Sequence, residues 1–240
     1  MTDHRRAGNI KSGRNRQVAI LEKRRRILIV CEGTKTEPNY FNSIIDFYKL
    51  NGSVISGETV AFAVEGTGRS TLNLVSYAEK RQMRGADKFD TIWCVFDKDD
   101  FANDDFDNAI AKCQSHNYLR VAWSNEAFEL WYVLHFEYLN SSPARNEGKA
   151  RRYYEEQLDV MFKQIGPDKY NKNDGNVFEL LGSERLNKAI VNAKKLMSTY
   201  GYATPFHDRK PATNIFELVQ TLLDYASDVK TSEPTVSLTK

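Results

Sequence analysis

Short apolar runs alternate with longer segments of helical periodicity through the first half of the chain. Four runs have the length of buried strands: RILIVC (26–31), TVAFAV (59–64), TIWCVF (91–96) and YLRVAWS (118–124). Between them, apolar side chains recur every three or four residues in the segments 36–50, 70–83 and 104–116. This alternation is typical of a parallel sheet covered by helices. The pattern therefore predicts an α/β fold with a four-stranded sheet.

The second half of the chain has helical periodicity. Apolar residues recur at helical spacing in the segments 127–139, 150–165, 183–200 and 212–226, which predicts a C-terminal helical layer. We expect four regions: a basic flexible arm (1–24), an α/β core (25–137), a helical part packed on it (138–228) and a disordered tail (229–240).

Composition narrows the class of protein. The chain has 240 residues, of which 41% are hydrophobic and 28% charged, as in a soluble globular protein. No run approaches the roughly 18 apolar residues of a membrane span, and the polar start lacks the apolar centre of a signal peptide. We therefore expect a cytoplasmic protein without membrane contact. Three cysteines without a CxxC pair predict free thiols rather than disulfides or a zinc site.

The net charge of +2 conceals an asymmetry. Residues 1–30 carry nine Lys/Arg and two acids, so the remaining 210 residues have a net charge of −5. A basic arm can neutralise nucleic-acid phosphates, or it can be a solvated leader. In the helical half, Arg151, Arg152 and the tyrosines after them could likewise form a nucleic-acid surface or a solvated helix face.

Acidic side chains follow two of the predicted strands directly. Glu32 comes after the first strand and Asp97 after the third, with Glu37 and Asp99 close behind. Because open parallel sheets bind ligands at the carboxyl edge of their strands, these carboxylates are expected to lie together. Oxygen ligands of this kind suit Mg²⁺ or Mn²⁺. The alternative is that Glu32 or Asp97 only caps a following helix.

A third acidic cluster follows the fourth strand. Glu126 and Glu129 are three residues apart and share a helix face, so one of them could reach the same edge of the sheet. Ser124 is a candidate cap for that helix. His135 is interpreted as a packed or surface histidine and left out of the site.

Ordered blocks of sequence carry a resemblance to a known family. ILIVCEGTKTEPNYF, WCVFDKDDF, SNEAFELWYVLHF and KPATNIFELV together resemble the RloB family, found beside restriction loci and in phage-defence gene pairs. The resemblance covers about residues 24–225. A glutamate and glycine after one strand and Asp-x-Asp after another are also similar to the Toprim domain of primases, topoisomerases and OLD-type nucleases. The resemblance implies a Toprim-like, Rossmannoid parallel sheet flanked by helices.

The resemblance also implies roles for individual acids. Glu32 matches the Toprim glutamate that acts as general acid/base or metal ligand, and Asp97 and Asp99 match the Asp-x-Asp metal pair. Glu37, in the EGxKTE block, and Glu129, in the FELW block, are implied as further ligands. One or two Mg²⁺ or Mn²⁺ ions are expected between them.

Two residues of the KPATN block complete the implied site. Lys210 is a candidate for stabilising the phosphate, with Asn214 nearby, although Lys210 could instead lie on a solvated loop. Asp100 is a further candidate for the metal site.

The family's usual neighbour, an ABC- or AAA-type ATPase, is the implied partner. The segment GTGRS (66–70) lacks the GK[ST] ending of a P-loop, so it is interpreted as a strand-to-helix turn and any ATP hydrolysis would come from another chain.

The leading functional hypothesis is a metal-dependent nuclease that cleaves DNA or RNA, tRNA included, as the toxin of an abortive-infection system. The alternative is a non-catalytic sensor or regulatory module that binds the ATPase or nucleic acid. Nucleotidyl transfer ranks below both, because no primase zinc module is recognisable. The sequence leaves self-assembly open.

Overall fold

The computed structural model describes residues 24–84, 88–99, 102–139 and 150–232. The strands are β1 (Arg24–Cys31), β2 (Val54–Ile55), β3 (Glu58–Gly66), β4 (Thr91–Asp97), β5 (Leu119–Asn125) and β6 (Ala212–Thr213). The helices are α1 (Thr36–Phe47), α2 (Thr71–Arg84), α3 (Asn103–Gln114), α4 (Glu129–Phe136), α5 (Ala150–Lys163), α6 (Val177–Leu181), α7 (Ser183–Met197) and α8 (Ile215–Ser232).

The strands form one sheet in the order β2-β3-β1-β4-β5-β6. The four inner strands pair in parallel, which confirms the predicted α/β class and its parallel sheet. The sheet is larger than predicted, because β2 and β6 add antiparallel edges. Each of these edge strands has only two residues, too few to produce a periodic pattern.

Helices cover both faces of the sheet, which explains why its strands are continuous apolar runs. Successive side chains of β1 point to opposite faces. Ile27 and Ile29 join one buried cluster, with Tyr40 and Trp131 from the helices. Leu28 and its neighbour Val30 join the cluster on the other face, with α2 and α3. The core therefore consists of two layers divided by the sheet.

The C-terminal part contributes a strand as well as helices. Residues 212 and 213, predicted to begin the last helix, form β6 instead and pair with the end of β5. The side chain of Asn214 fixes this edge, since its Oδ1 accepts a hydrogen bond from Trp123 N at 2.6 Å. The helix that follows continues to Ser232, four residues into the predicted tail. Residues 1–23 and 233–240, with most of the basic arm and the tail, lie outside the described residues.

Two further expectations concern the chain as a whole. Among the described residues, none of the helices combines the length and apolar character that a membrane span requires. The cysteines Cys31, Cys94 and Cys113 are free, as predicted, and all three are buried.

Candidate active site at the carboxyl edge of the sheet

The acids meet where β1 and β4 end side by side. Cys31 pairs with Val95 in the parallel register, so the residues after the two strands leave the sheet at the same edge. The backbone N–H of Glu32 continues the ladder with a 2.9 Å hydrogen bond to Val95 O. A cleft of about 550 Å³ opens there. Its acidic lining is Glu32, Glu37, Asp97, Asp99, Glu129 and Glu155.

Asp97 is the most constrained of these acids. It is the last residue of β4 and only 5% exposed. Its Oδ2 accepts a 3.0 Å hydrogen bond from Phe128 N, directly before α4. Ser124, the candidate cap of this helix, lies in β5 and contacts Thr213 instead. The other oxygen of Asp97, Oδ1, is buried without a partner in the described part of the chain.

Glu37 reaches the cleft because Gly33 leaves room for it. In the first turn of α1, the Glu37 side chain folds back, and its Oε1 accepts a 3.2 Å hydrogen bond from Gly33 N. A Cβ atom at Gly33 would lie 2.1 Å from Glu37 Oε2. A side chain at position 33 would therefore displace the Glu37 carboxylate from its present position.

Of the two acids after the fourth predicted strand, only Glu129 enters the cleft. It begins α4, is 4% exposed, and its Oε1 lies 3.5 Å from the Tyr170 hydroxyl that donates to it. Glu126 instead accepts from Lys210 Nζ at 3.4 Å. Its side chain is not part of the cleft lining.

Arg151 is the cation at the centre of the acids. Its Nη2 lies 3.2 Å from an oxygen of Asp97 and 3.2 Å from one of Asp99, and its Nε lies 3.7 Å from Glu129 Oε2. The side chain is still 44% exposed, so it closes the cleft from the solvent side. The sequence placed Arg151 on a surface; no local motif indicates a partner more than fifty residues away.

Crowding and burial alter the protonation of the acids. Burial, with the nearby charge of Glu37, raises the pKa of Glu32 to about 8. Burial raises the pKa of Glu129 to about 7, although Arg151 acts in the opposite direction. The pKa of Asp97 is also raised, first by burial and then by the charge of Glu37. These acids therefore keep their protons to higher pH than ordinary carboxyl groups, so protons as well as Arg151 offset the negative charge of the cleft near neutral pH.

The same acids act on Arg151. Burial disfavours its charged form, but attraction by Asp97, Glu129 and Asp99 outweighs this effect and raises its pKa. Arg151 thus stays a cation whatever the protonation of its neighbours.

Two carboxylate oxygens of the cleft are of the type that binds a hard divalent cation, although the acids in the described part of the chain are not arranged as a metal site in this structure. Glu32 Oε2 and Asp97 Oδ1 are buried carboxylate oxygens without a hydrogen-bond partner among the described residues, and oxygen is the ligand that Mg²⁺ and Mn²⁺ prefer. No group of three or more His, Cys, Asp or Glu side chains in the described ranges is positioned to hold a metal ion. In this structure the acids are arranged around Arg151.

The residues of the KPATN block lie elsewhere. Neither Lys210 nor Asn214 is among the cleft-lining residues; Lys210 pairs with Glu126, and Asn214 fixes the edge of β5. Asp100 falls outside the described residues. His135 is fully buried, and burial lowers its pKa to about 4, which confirms that it is a packed histidine.

The suggested basic and aromatic surface on the helical half is not continuous. Arg151 points into the cleft and Tyr154 is fully buried. Arg152 is 82% exposed and pairs with Glu156 one turn further along α5. The cations that do line the cleft, besides Arg151, are Lys35, Arg69 and Lys172, of which the sequence analysis singled out none.

Fold and site together define an α/β protein with an acidic cleft at the carboxyl edge of a largely parallel sheet. A family model described as RloB-like protein matches residues 27–222, and the chain belongs to this RloB-like family. No curated protein and no solved structure matches the chain.

Proposed function

We propose that this protein is a metal-dependent nuclease of Toprim type, which hydrolyses phosphodiester bonds in DNA or RNA, tRNA included. The observation that carries the proposal is the convergence of carboxylates from β1, α1, β4 and α4 on one cleft, with buried oxygens that have no partner within the described residues. Such a site attracts a divalent cation, and phosphate groups bind readily to a cation held in this way.

Each acid has a task in this proposal. Glu32, Asp97 and Asp99 would hold one Mg²⁺ or Mn²⁺ ion, and Glu37 and Glu129 would complete that shell or hold a second ion. When bound, the metal activates water and stabilises the charge that develops on the phosphate. Attack of the water oxygen on phosphorus forms one P–O bond and breaks another.

The proton of the attacking water must leave, and the departing oxygen must receive one. Burial and the charge of Glu37 raise the pKa of Glu32 to about 8 in the metal-free cleft, so Glu32 would serve as the general acid/base where Asp97 and Asp99 hold the ion without it. Arg151 would turn from the acids toward the phosphate oxygens once a metal ion neutralises the carboxylates. Its exposed fraction of 44% leaves it free to do so.

The biological role proposed here rests on what the resemblance to the RloB family implies. The nuclease would act in the cytoplasm as the effector of an anti-phage abortive-infection system, held inactive by an ABC- or AAA-type ATPase until infection. The implied lysine at position 210 has no part in this proposal, because it pairs with Glu126 away from the cleft.

The test is a cleavage assay on supercoiled plasmid, single-stranded DNA and total tRNA, with Mg²⁺, Mn²⁺ or a chelator. Glu32→Gln keeps the size of the side chain and should reduce metal-dependent cleavage by at least about 100-fold, the upper range for groups that support a metal site. The matched control is Glu156→Gln, since Glu156 is 59% exposed on α5. Full cleavage by both variants would contradict the proposal.

One observation favours the second candidate, a non-catalytic sensor or regulatory module that binds the ATPase or nucleic acid. Arg151 already contacts Asp97, Asp99 and Glu129, as it would in a structural ion-pair network. This candidate predicts that toxicity or partner binding persists in Glu32→Gln. The nuclease predicts that toxicity is lost.

A further inference from the structure

A second groove adjoins the acidic cleft and has the opposite charge. It has a volume of about 680 Å³ and shares Gly68, Arg69 and Ser70 with the cleft. Its remaining lining is Asn73, Ser76, Tyr77, Lys80 and Arg81. Among the described residues that line it, none is acidic. The boundary between acidic and basic lining therefore falls at the loop before α2.

Arg69 is positioned at this boundary by contacts that leave its charge uncompensated. Its guanidinium lies 4.3 Å from the centre of the Tyr77 ring, and Nη1 donates to Thr67 O at 3.4 Å. The Tyr77 hydroxyl is fixed in turn by a 2.8 Å hydrogen bond to Glu65. Within the described part of the chain, no carboxylate pairs with Arg69. The guanidinium is therefore held beside the Tyr77 ring, and Nη1 is one of its donors with a partner within the protein.

Helix α2 extends the groove away from the cleft. Asn73, Ser76 and Lys80 follow at helical spacing and share one face. Lys80 is exposed and has no ion-pair partner in the described ranges. At about 1.5 Å per residue, the distance along the helix from Ser70 to Lys80 is about 15 Å. This corresponds to roughly four nucleotides of one strand in a duplex.

The neighbouring Arg81 shows that only some of the cations in this groove lack an acidic partner. Its Nη2 lies 2.6 Å from Glu65 Oε1, so its charge is neutralised within the protein. Arg69 and Lys80 are left as the cations available to a ligand. Polar donors between them, Asn73 and Ser76, supply neutral contacts.

We propose that this groove binds the phosphodiester backbone of a nucleic acid and leads it into the acidic cleft. The identification of the ligand as a nucleic acid rests on the proposed nuclease function. The basic character of the groove rests on its lining residues alone. An acidic cleft repels phosphate until it holds a metal ion, so a substrate needs a basic surface directly beside it. Hydroxyl, amide, guanidinium and ammonium donors without an acid are the groups that contact phosphates irrespective of base sequence.

The test measures binding in the presence of a chelator, so that cleavage does not interfere. Labelled duplex DNA, single-stranded RNA and tRNA are titrated by fluorescence anisotropy at several salt concentrations. The test protein is the double variant Arg69→Gln/Lys80→Gln. Its matched control is Arg152→Gln/Lys163→Gln, which removes one arginine and one lysine from α5, both exposed. Circular dichroism and a thermal melt check that both variants are folded.

The expected result is a smaller salt dependence in the test variant alone. Each phosphate contact contributes roughly 0.9 to the slope of log affinity against log salt for duplex DNA and roughly 0.7 for single strands. Loss of two contacts should lower the slope by about 1.8 or about 1.4, which also indicates the type of strand in the groove. Arg69→Lys, which keeps the charge, should retain most of the slope at its position.

The outcomes separate this proposal from the nuclease proposal. If the test variant binds more weakly but the wild type shows no metal-dependent cleavage, the proposal for the groove is supported and the nuclease proposal is contradicted. Unchanged binding, with cleavage that still requires Glu32, would overturn the groove and keep the nuclease. Failure of the wild type to bind any of the three nucleic acids at low salt would also overturn the groove.

Discussion

Two clusters of acidic and basic side chains, one between α2 and α3 and one in the cleft, show how differently the same groups can be used. Between α2 and α3, Glu79 contacts Lys112 at 2.8 Å and His116 at 3.1 Å. Burial opposes its ionisation, but Lys112 and His116 outweigh burial and lower the pKa of Glu79. In the cleft, the pKa of Glu129 is raised to about 7 despite Arg151.

The two clusters differ in their ratio of acidic to basic side chains. Glu79 has two basic neighbours, so its charge is satisfied within the protein and the cluster stabilises the fold. In the cleft, several buried acids share Arg151, and the fold leaves their repulsion in place. Retained repulsion of this kind is common at functional sites and costs stability. The comparison therefore distinguishes a cluster whose charges are paired within the protein from one in which several acids share a single arginine.

The largest expected effect is on stability as the pH changes. Glu129 has a pKa of about 7 in the folded chain against 4.5 ordinarily, so between these values the folded state binds more protons than the unfolded state. The free energy of unfolding should therefore fall as the pH rises through this window, by on the order of 3 kcal/mol from Glu129 alone. Urea unfolding in chelator at about pH 5 and about pH 8 measures it.

Two controls sharpen this measurement. Glu129→Gln should show a smaller decrease between the two pH values, because the group that titrates is gone. The contribution of Glu79 to stability changes with pH in the opposite direction. Because its pKa is lowered in the folded state, Glu79 stabilises the fold above its ordinary pKa, and this stabilisation is lost as the pH falls. A wild-type stability that rises between about pH 5 and about pH 8 would contradict the role given to Glu129.

Arg151→Gln should have the next largest effect. Without the shared cation, the acids repel one another more strongly, and we expect a loss of about 2 kcal/mol in chelator near pH 8, less than for a fully buried pair because Arg151 is 44% exposed. Arg152→Gln, the adjacent control, should cost less than about 0.5 kcal/mol.

Divalent ions make the Arg151 prediction specific. Mn²⁺ should stabilise Arg151→Gln more than it stabilises the wild type, because the ion no longer competes with the arginine for Asp97 and Asp99. Thermal melts with and without Mn²⁺ measure this difference. Equal stabilisation of both proteins would show that Arg151 and the metal do not share a site.

Gly33→Ala tests the placement of Glu37. The new Cβ would lie 2.1 Å from Glu37 Oε2, and the flexible carboxylate would have to move away from the cleft. We expect about tenfold weaker Mn²⁺ binding, equivalent to about 1.4 kcal/mol, with little change in the melting temperature of the metal-free protein. Isothermal titration calorimetry measures the affinity, and unaltered binding would remove Glu37 from the site.

The smallest effect is expected at the structural cluster. Glu79→Gln breaks partly exposed ion pairs, which are worth up to about 1 kcal/mol, and should leave Mn²⁺ binding unchanged. A loss of Mn²⁺ binding in this variant would contradict the expectation that metal binding depends on the cleft and not on the Glu79 cluster.

The sequence predicted those site residues that directly follow a recognisable strand. Apolar runs located β1 and β4, and the acids after them, Glu32 and Asp97, line one cleft as expected. The central cation could not be found in this way. Arg151 reaches Asp97 only because α5 packs across the end of the sheet, and its sequence neighbours give the same signal as any solvated helix.

The edge strand shows the same limit on a smaller scale. Two residues at 212–213 have no periodicity of their own, and they join a helical pattern that continues beyond them. Their extended conformation depends on the free edge of β5, which is distant in sequence. Lys210, two residues before this strand, pairs with Glu126 and is not among the cleft-lining residues.

The order of synthesis on the ribosome gives the late strand β6 a further significance. Thr213 and Asn214 close the edge of β5. They are synthesised almost ninety residues after Ser124 of β5, the strand that pairs with the one carrying Asp97. A nascent chain that has emerged only as far as α4 lacks Arg151 and the edge strand alike. Because domains fold as units during translation, Arg151 can join the acids of the cleft only after α5 has left the exit tunnel. The acids that precede α5 in the chain are therefore synthesised well before the cation that they share.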